Sequence, residues 1–81
     1  MNPLKPGANA DLVFLTALNN MGVTLAERAL TLREISDNLG LDLNTVNQNV
    51  KKLEENGYMI RVEDKYFVSQ LGLIKALSFY S

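Results

Sequence analysis

Six polar residues in one short stretch have types and spacing that could do chemistry: Asn44, Thr45, Asn47, Gln48, Lys51 and Lys52. That chemistry is recognition. The carboxamides of Asn and Gln can pair bidentately with adenine edges, and Lys serves guanine or phosphate. A helix over about Leu43 to Asn56, projected at about 100° per residue, places Asn44, Thr45, Gln48, Lys51 and Lys52 opposite an apolar stripe of Leu43, Val46, Val50 and Leu53. Asn47 lies on its flank. A polar stripe is ordinarily just a solvated helix face, so the segments that would position it must decide its meaning.

The positioning unit runs from Thr31 to Gly57. Thr31 stands three residues before Glu34, the spacing of a capping box in which hydroxyl and carboxylate each satisfy an orphan amide. Leu32, Ile35 and Leu39 then share one face at i, i+3 and i+7. Gly40 follows where the chain must turn with positive φ. Asp42 is placed to cap the next helix, and Gly57 closes it. Two helices joined only by Gly40 to Asp42 have the spacing of a helix-turn-helix. This spacing favours a DNA groove over solvent as the partner of the polar face.

Composition narrows the function classes. The 81 residues are 47% hydrophobic and 21% charged, which excludes a disordered chain. A domain this small buries only about 60–65% of its unfolded surface, so a partner chain would help it. With no Cys and no His, thiolate chemistry and the commonest metal ligand and general base are missing. No paired carboxylates sit in a Gly-rich loop, and no phosphate-binding loop appears. No enzyme, cofactor or metal site is therefore expected. No apolar run approaches the roughly 18 residues of a membrane span, and MNPLKPGANAD lacks the apolar core of a signal peptide. The expected location is the cytoplasm. The net charge of −1 weighs against DNA, since nucleic-acid domains are usually basic. Lys51, Lys52, Arg61 and Lys65 cluster late in the unit, but Asp37, Asp42 and Glu55 lie near them and would repel phosphate.

The remaining chain reads as scaffold. Met1 to Ala8, with Pro3, Pro6 and Gly7, is an irregular lead-in whose Lys5 belongs to a frayed terminus. Asn9 is the candidate cap of a helix from about Ala10 to Met21. Leu12, Phe14, Leu15, Leu18 and Met21 supply its broad apolar face, widened by Val13 and Ala17. Val23 to Leu30 admits two readings: a short helix over Leu25 to Ala29 with a Thr24–Glu27 capping box, or an edge strand just before Thr31. Tyr58 to Val62 and Tyr66 to Val68 flank the polar turn Glu63-Asp64-Lys65 and predict a β-hairpin. Ser69 caps a last helix from about Gln70 to Tyr80, nearly encircled by Leu71, Leu73, Ile74, Ala76, Leu77, Phe79 and Tyr80. Helices so apolar need cover on more than one side.

Helix, helix, turn, helix, hairpin, helix is the order of a winged helix. The residues also resemble the winged helix-turn-helix transcription regulators of the MarR and ArsR type. The likeness is carried by Leu30-Thr31 with Ile35-Ser36, Leu39-Gly40-Leu41, Thr45-Val46 with Val50, Lys52-Leu53-Glu54 and Gly57-Tyr58. It continues through Tyr66 to Val68 and on to Ser69 with Gly72. The resemblance implies that the helix holding Asn44, Thr45, Asn47, Gln48, Lys51 and Lys52 enters the major groove of double-stranded DNA. It also implies that the terminal helices make a homodimer. Gln48 stands where Arg is frequent in such families. The hairpin tip, Glu63-Asp64-Lys65, is short and mostly acidic, which argues against wing contact. The lack of Cys and His removes an ArsR-type metal response.

The sequence thus predicts a mainly α fold with a small β-hairpin: one winged helix-turn-helix domain over 1–81, with the helix-turn-helix at about 31–57, the wing at about 58–68 and the last helix at about 70–80. The predicted function is sequence-specific DNA binding in transcriptional regulation, as a homodimer through the first and last helices. The rival is a winged helix used as a protein-interaction module in a larger assembly. The acidic balance and the surplus of apolar surface both suit that rival.

Overall fold

The computed structural model describes residues 6–78, with side chains from Asp11 onward. Its elements are α1 (Pro6–Asn20), a 3-10 turn (Ala26–Arg28), β1 (Leu30–Thr31), α2 (Leu32–Leu39), α3 (Leu43–Glu55), β2 (Met59–Val62), β3 (Lys65–Val68) and α4 (Gln70–Leu77). This is a winged helix-turn-helix, mainly helical with a small antiparallel sheet.

α1 starts earlier than its polar residues suggest. Asn9 lies inside the helix instead of capping it, and Pro6 takes the first position. A proline fits there because its missing N–H would have no intrahelical partner. The expectations for Lys5, Phe79 and Tyr80 fall outside the described residues. Phe14, Leu15 and Leu18 of α1 enter the core, whereas Val13 is 49% exposed.

The capping box that opens α2 is complete. Glu34 N donates to Thr31 Oγ1 at 3.1 Å, and Thr31 N donates to Glu34 Oε1 at 2.9 Å. Gly40 ends α2 with φ 68, and its N–H donates to the Ser36 carbonyl. Asp42 Oδ1 accepts from Thr45 N at 3.2 Å and caps α3. Thr31→Ala should cost about 1 kcal/mol through the lost cap. Gly40→Val should cost more, because a β-branched residue resists positive φ. An added Cβ at Gly40 meets nothing within 4 Å, so the loss would report backbone conformation alone. Thermal melts equal to wild type for both variants would contradict these assignments.

Between Val23 and Leu30 each reading is half right. Ala26–Arg28 is a single 3-10 turn, and Leu30–Thr31 is a strand. The Thr24–Glu27 capping box does not form: Leu25 precedes the turn in extended conformation and no side chain caps it. β1 instead pairs antiparallel with β3, Leu30 opposite Tyr66 and Thr31 opposite Lys65. The sheet order is β1-β3-β2, so the hairpin gains a third strand. Two strands alone would be marginal in water.

The hairpin turn is shorter than predicted. Val62 pairs with Lys65, leaving only Glu63 and Asp64 as the loop. Glu63 adopts φ 61, and its carbonyl accepts from Arg61 Nε at 2.7 Å. The core joins α1 (Phe14, Leu15, Leu18), α2 (Ile35), α3 (Val46, Val50, Leu53) and the base of the wing (Met59, Val68), with Ala76 of α4 against it.

Candidate nucleic-acid interface

α3 is a 13-residue helix fastened at both ends. Asp42 caps its start, and beyond its end Tyr58 N donates to the Leu53 carbonyl at 2.8 Å. Val46, Val50 and Leu53 are buried, as their spacing predicts. Leu43, expected to share that stripe, is 40% exposed. Its neighbours explain this: every residue from Gly40 to Thr45 is exposed, so the turn and the first turn of α3 stand clear of the core. A helix end that protrudes in this way can reach into a groove its own domain does not fill.

All six predicted contact residues, Asn44, Thr45, Asn47, Gln48, Lys51 and Lys52, are exposed on α3. Helical spacing sorts them. Asn44, Gln48 and Lys51 run up the outer face, and Glu55 continues the same line. Thr45 and Lys52 lie on one flank and Asn47 on the other. The Thr45–Lys52 flank faces α1, because Lys52 Nζ lies 3.2 Å from Asp11 Oδ2. This ion pair joins residues far apart in the sequence, so no local pattern announced Asp11 as part of the site. The Lys52 side chain is 59% exposed and that of Asp11 23%. A pair so open to water contributes at most about 1 kcal/mol to stability. Its electrostatic effect on the flank is larger in consequence, since it sets a carboxylate against one of only two lysines on α3.

Glu63 and Asp64 form the tip of the wing, Arg61 Nε donates to the Glu63 carbonyl, and Lys65 stands exposed at the start of β3. The tip expected as Glu63-Asp64-Lys65 thus loses its lysine to β3, and the two acidic residues alone form it. Below it, Ser69 locks the wing to α4. Ser69 N donates to the Tyr58 carbonyl at 3.0 Å, Ser69 Oγ donates to the Gly57 carbonyl at 2.6 Å, and Gly72 N donates to Ser69 Oγ at 3.0 Å. One serine thus caps α4 and ties it to the segment leaving α3.

Other sites are poor in reactive groups. A groove of about 200 Å³ lies between Thr24, Leu25, Val68, Ser69, Gln70 and Leu73, with no charged side chain in its lining. Among the described residues, no group of three or more acidic, Cys or His side chains gathers to hold a metal ion. No helix of the described residues is long and apolar enough to cross a membrane.

Residues 25–58 match a family model described as winged helix-turn-helix DNA-binding. The match spans β1, α2, the turn and α3, less than half of the chain, and stops before the hairpin. No curated protein and no solved structure matches the chain.

Proposed function

We propose that this chain is one winged-helix domain that binds double-stranded DNA in a sequence-specific manner. It acts as a transcriptional regulator of the MarR/ArsR-like kind, located in the cytoplasm, with α3 in the major groove. The observation that carries this reading is the protruding start of α3 with Asn44, Gln48 and Lys51 on its outer face. It lies within the segment similar to a DNA-binding family. Asn44, Thr45, Asn47 and Gln48 face base edges, Lys51 faces phosphate, and Lys52 stands at the phosphate edge with its ammonium paired to Asp11. The wing stays off the backbone because its tip is acidic.

The working unit is a homodimer. Part of the apolar surplus on the terminal helices is consumed inside one chain, where Phe14, Leu15 and Leu18 of α1 and Ala76 of α4 are buried. Leu71, Ile74 and Leu77 of α4 remain 53%, 64% and 53% exposed. The ammonium of Lys75, the one charge on α4, lies 5.9 Å from the centre of the Tyr58 ring. An uncharged apolar face suits an identical face on a second copy. The same face and the net charge of −1 favour the second reading, a winged helix that docks on another protein.

A titration against mixed DNA fragments at low and moderate salt separates the two. A dimer placing one uncompensated lysine, Lys51, per subunit on phosphate should show a log–log salt slope of roughly −2. No binding at low salt overturns the DNA reading in favour of the protein-interaction module. Sedimentation at micromolar concentration should give a dimer, and a monomer at every concentration overturns the dimer assignment.

A further inference from the structure

Resting on that DNA reading, we infer that Asp11 is an autoinhibitory residue of the DNA-binding face: its carboxylate cancels Lys52 and holds down the phosphate-driven affinity for DNA of any sequence. The observation is the 3.2 Å contact between Lys52 Nζ on α3 and Asp11 Oδ2 on α1. Asp11 is the less exposed partner, its side chain 23% exposed against 59% for Lys52, so the carboxylate is the more confined of the two.

The physics follows from charge counting. Non-specific affinity comes from cations that displace counterions condensed on DNA, one increment per phosphate neutralised. Lys51 stands on the outer face of α3 with Glu55 one turn beyond it, and among the described residues no carboxylate lies within ion-pair distance of its ammonium. Lys52 carries its own counterion. A phosphate approaching Lys52 must displace Asp11 or share the ammonium with it. In either case a carboxylate stays a few ångströms away, well inside the Debye length of about 10 Å at 0.1 M salt. The Lys52–Asp11 unit is neutral as a whole and releases little condensed counterion. The amides of Asn44 and Gln48 are uncharged, so base reading is untouched by the pair. Phosphate contacts are common to all sequences, so the pair lowers the affinity for every DNA site and leaves discrimination to the base contacts.

The test measures salt dependence on mixed-sequence duplex for wild type, Asp11→Asn, Lys52→Gln and the double variant. The slope should steepen from roughly −2 in wild type to roughly −4 in the Asp11→Asn dimer. Affinity at 0.1 M salt should rise by at least about tenfold. With Lys52→Gln in place, Asp11→Asn should no longer steepen the slope, so the double variant should match Lys52→Gln. Asn keeps the size of Asp, and a thermal melt of each variant verifies the fold. If Asp11→Asn unfolds, Asp11→Ser removes the same charge.

An unchanged slope in Asp11→Asn, from a protein that binds DNA, overturns the inference and leaves the DNA reading standing. The same holds if Asp11→Asn steepens the slope equally with Lys52→Gln present, since the effect would then not pass through Lys52. Absence of binding by every variant at low salt overturns the DNA reading and this inference with it.

Discussion

Gly72→Ala is expected to destabilise the fold by roughly 3 kcal/mol, reversing the usual sign of this exchange. Alanine is ordinarily favoured over glycine within a helix by about 1 kcal/mol. Gly72 lies in the first turn of α4, where an ideal Cβ would overlap the carbonyl oxygen of Tyr58 and come within 2.9 Å of Val68 Cγ1. The obstacle is backbone, and that backbone is fixed. Tyr58 N is bonded to the Leu53 carbonyl, Tyr58 O accepts from Ser69 N, and the neighbouring Gly57 carbonyl accepts from Ser69 Oγ. To make room, α4 must lift from the wing and break the Ser69 junction. Overpacking of a rigid site typically costs about 1–3 kcal/mol, occasionally more. In a domain of this size that lowers Tm by more than about 10 °C. A melt at or above the wild-type temperature would show that α4 does not dock against Tyr58 as described.

Gln48→Ala is expected to leave binding to mixed DNA nearly unchanged and to collapse discrimination among sites. Gln48 stands at the centre of the outer face of α3, one turn beyond Asn44. A bidentate pair with an adenine edge is worth about 1–3 kcal/mol against the wrong base, roughly 5- to 150-fold for each half-site. Lys51→Ala should do the opposite, weakening all sequences alike and flattening the salt slope by about one unit for each phosphate that is no longer neutralised. The measurement is selection of a preferred site from random duplex by wild type, followed by titration of that site and of base-pair variants against each protein. An unaltered site preference in Gln48→Ala would remove this residue from the reading face.

Much of this architecture was determined by short-range pattern. Thr31 and Glu34, Gly40, and Asp42 with Thr45 act across three or four residues, so their caps and turn follow from spacing alone. The 3.6-residue period likewise marked Val46, Val50 and Leu53 as buried and left Asn44, Gln48 and Lys51 outside. The hairpin followed from two runs of β-branched and aromatic residues, although only pairing register showed its loop to be Glu63 and Asp64.

What escaped the sequence depended on distant partners. The sequence left a short helix and an edge strand both open before Thr31, and Leu30 becomes a strand because Tyr66 pairs with it. Leu43 keeps the period of the buried stripe yet lies exposed, because periodicity marks a direction around the helix and not where the core ends. Gly72 reads as a weak helix residue until the Tyr58 carbonyl is placed against it. Lys52 reads as a free cation until α1 packs beside α3 and brings Asp11 to it. Local hydrogen bonds and periodicity decide which elements form. Only packing decides which side chains meet across them, and so which charges on α3 remain available to a partner.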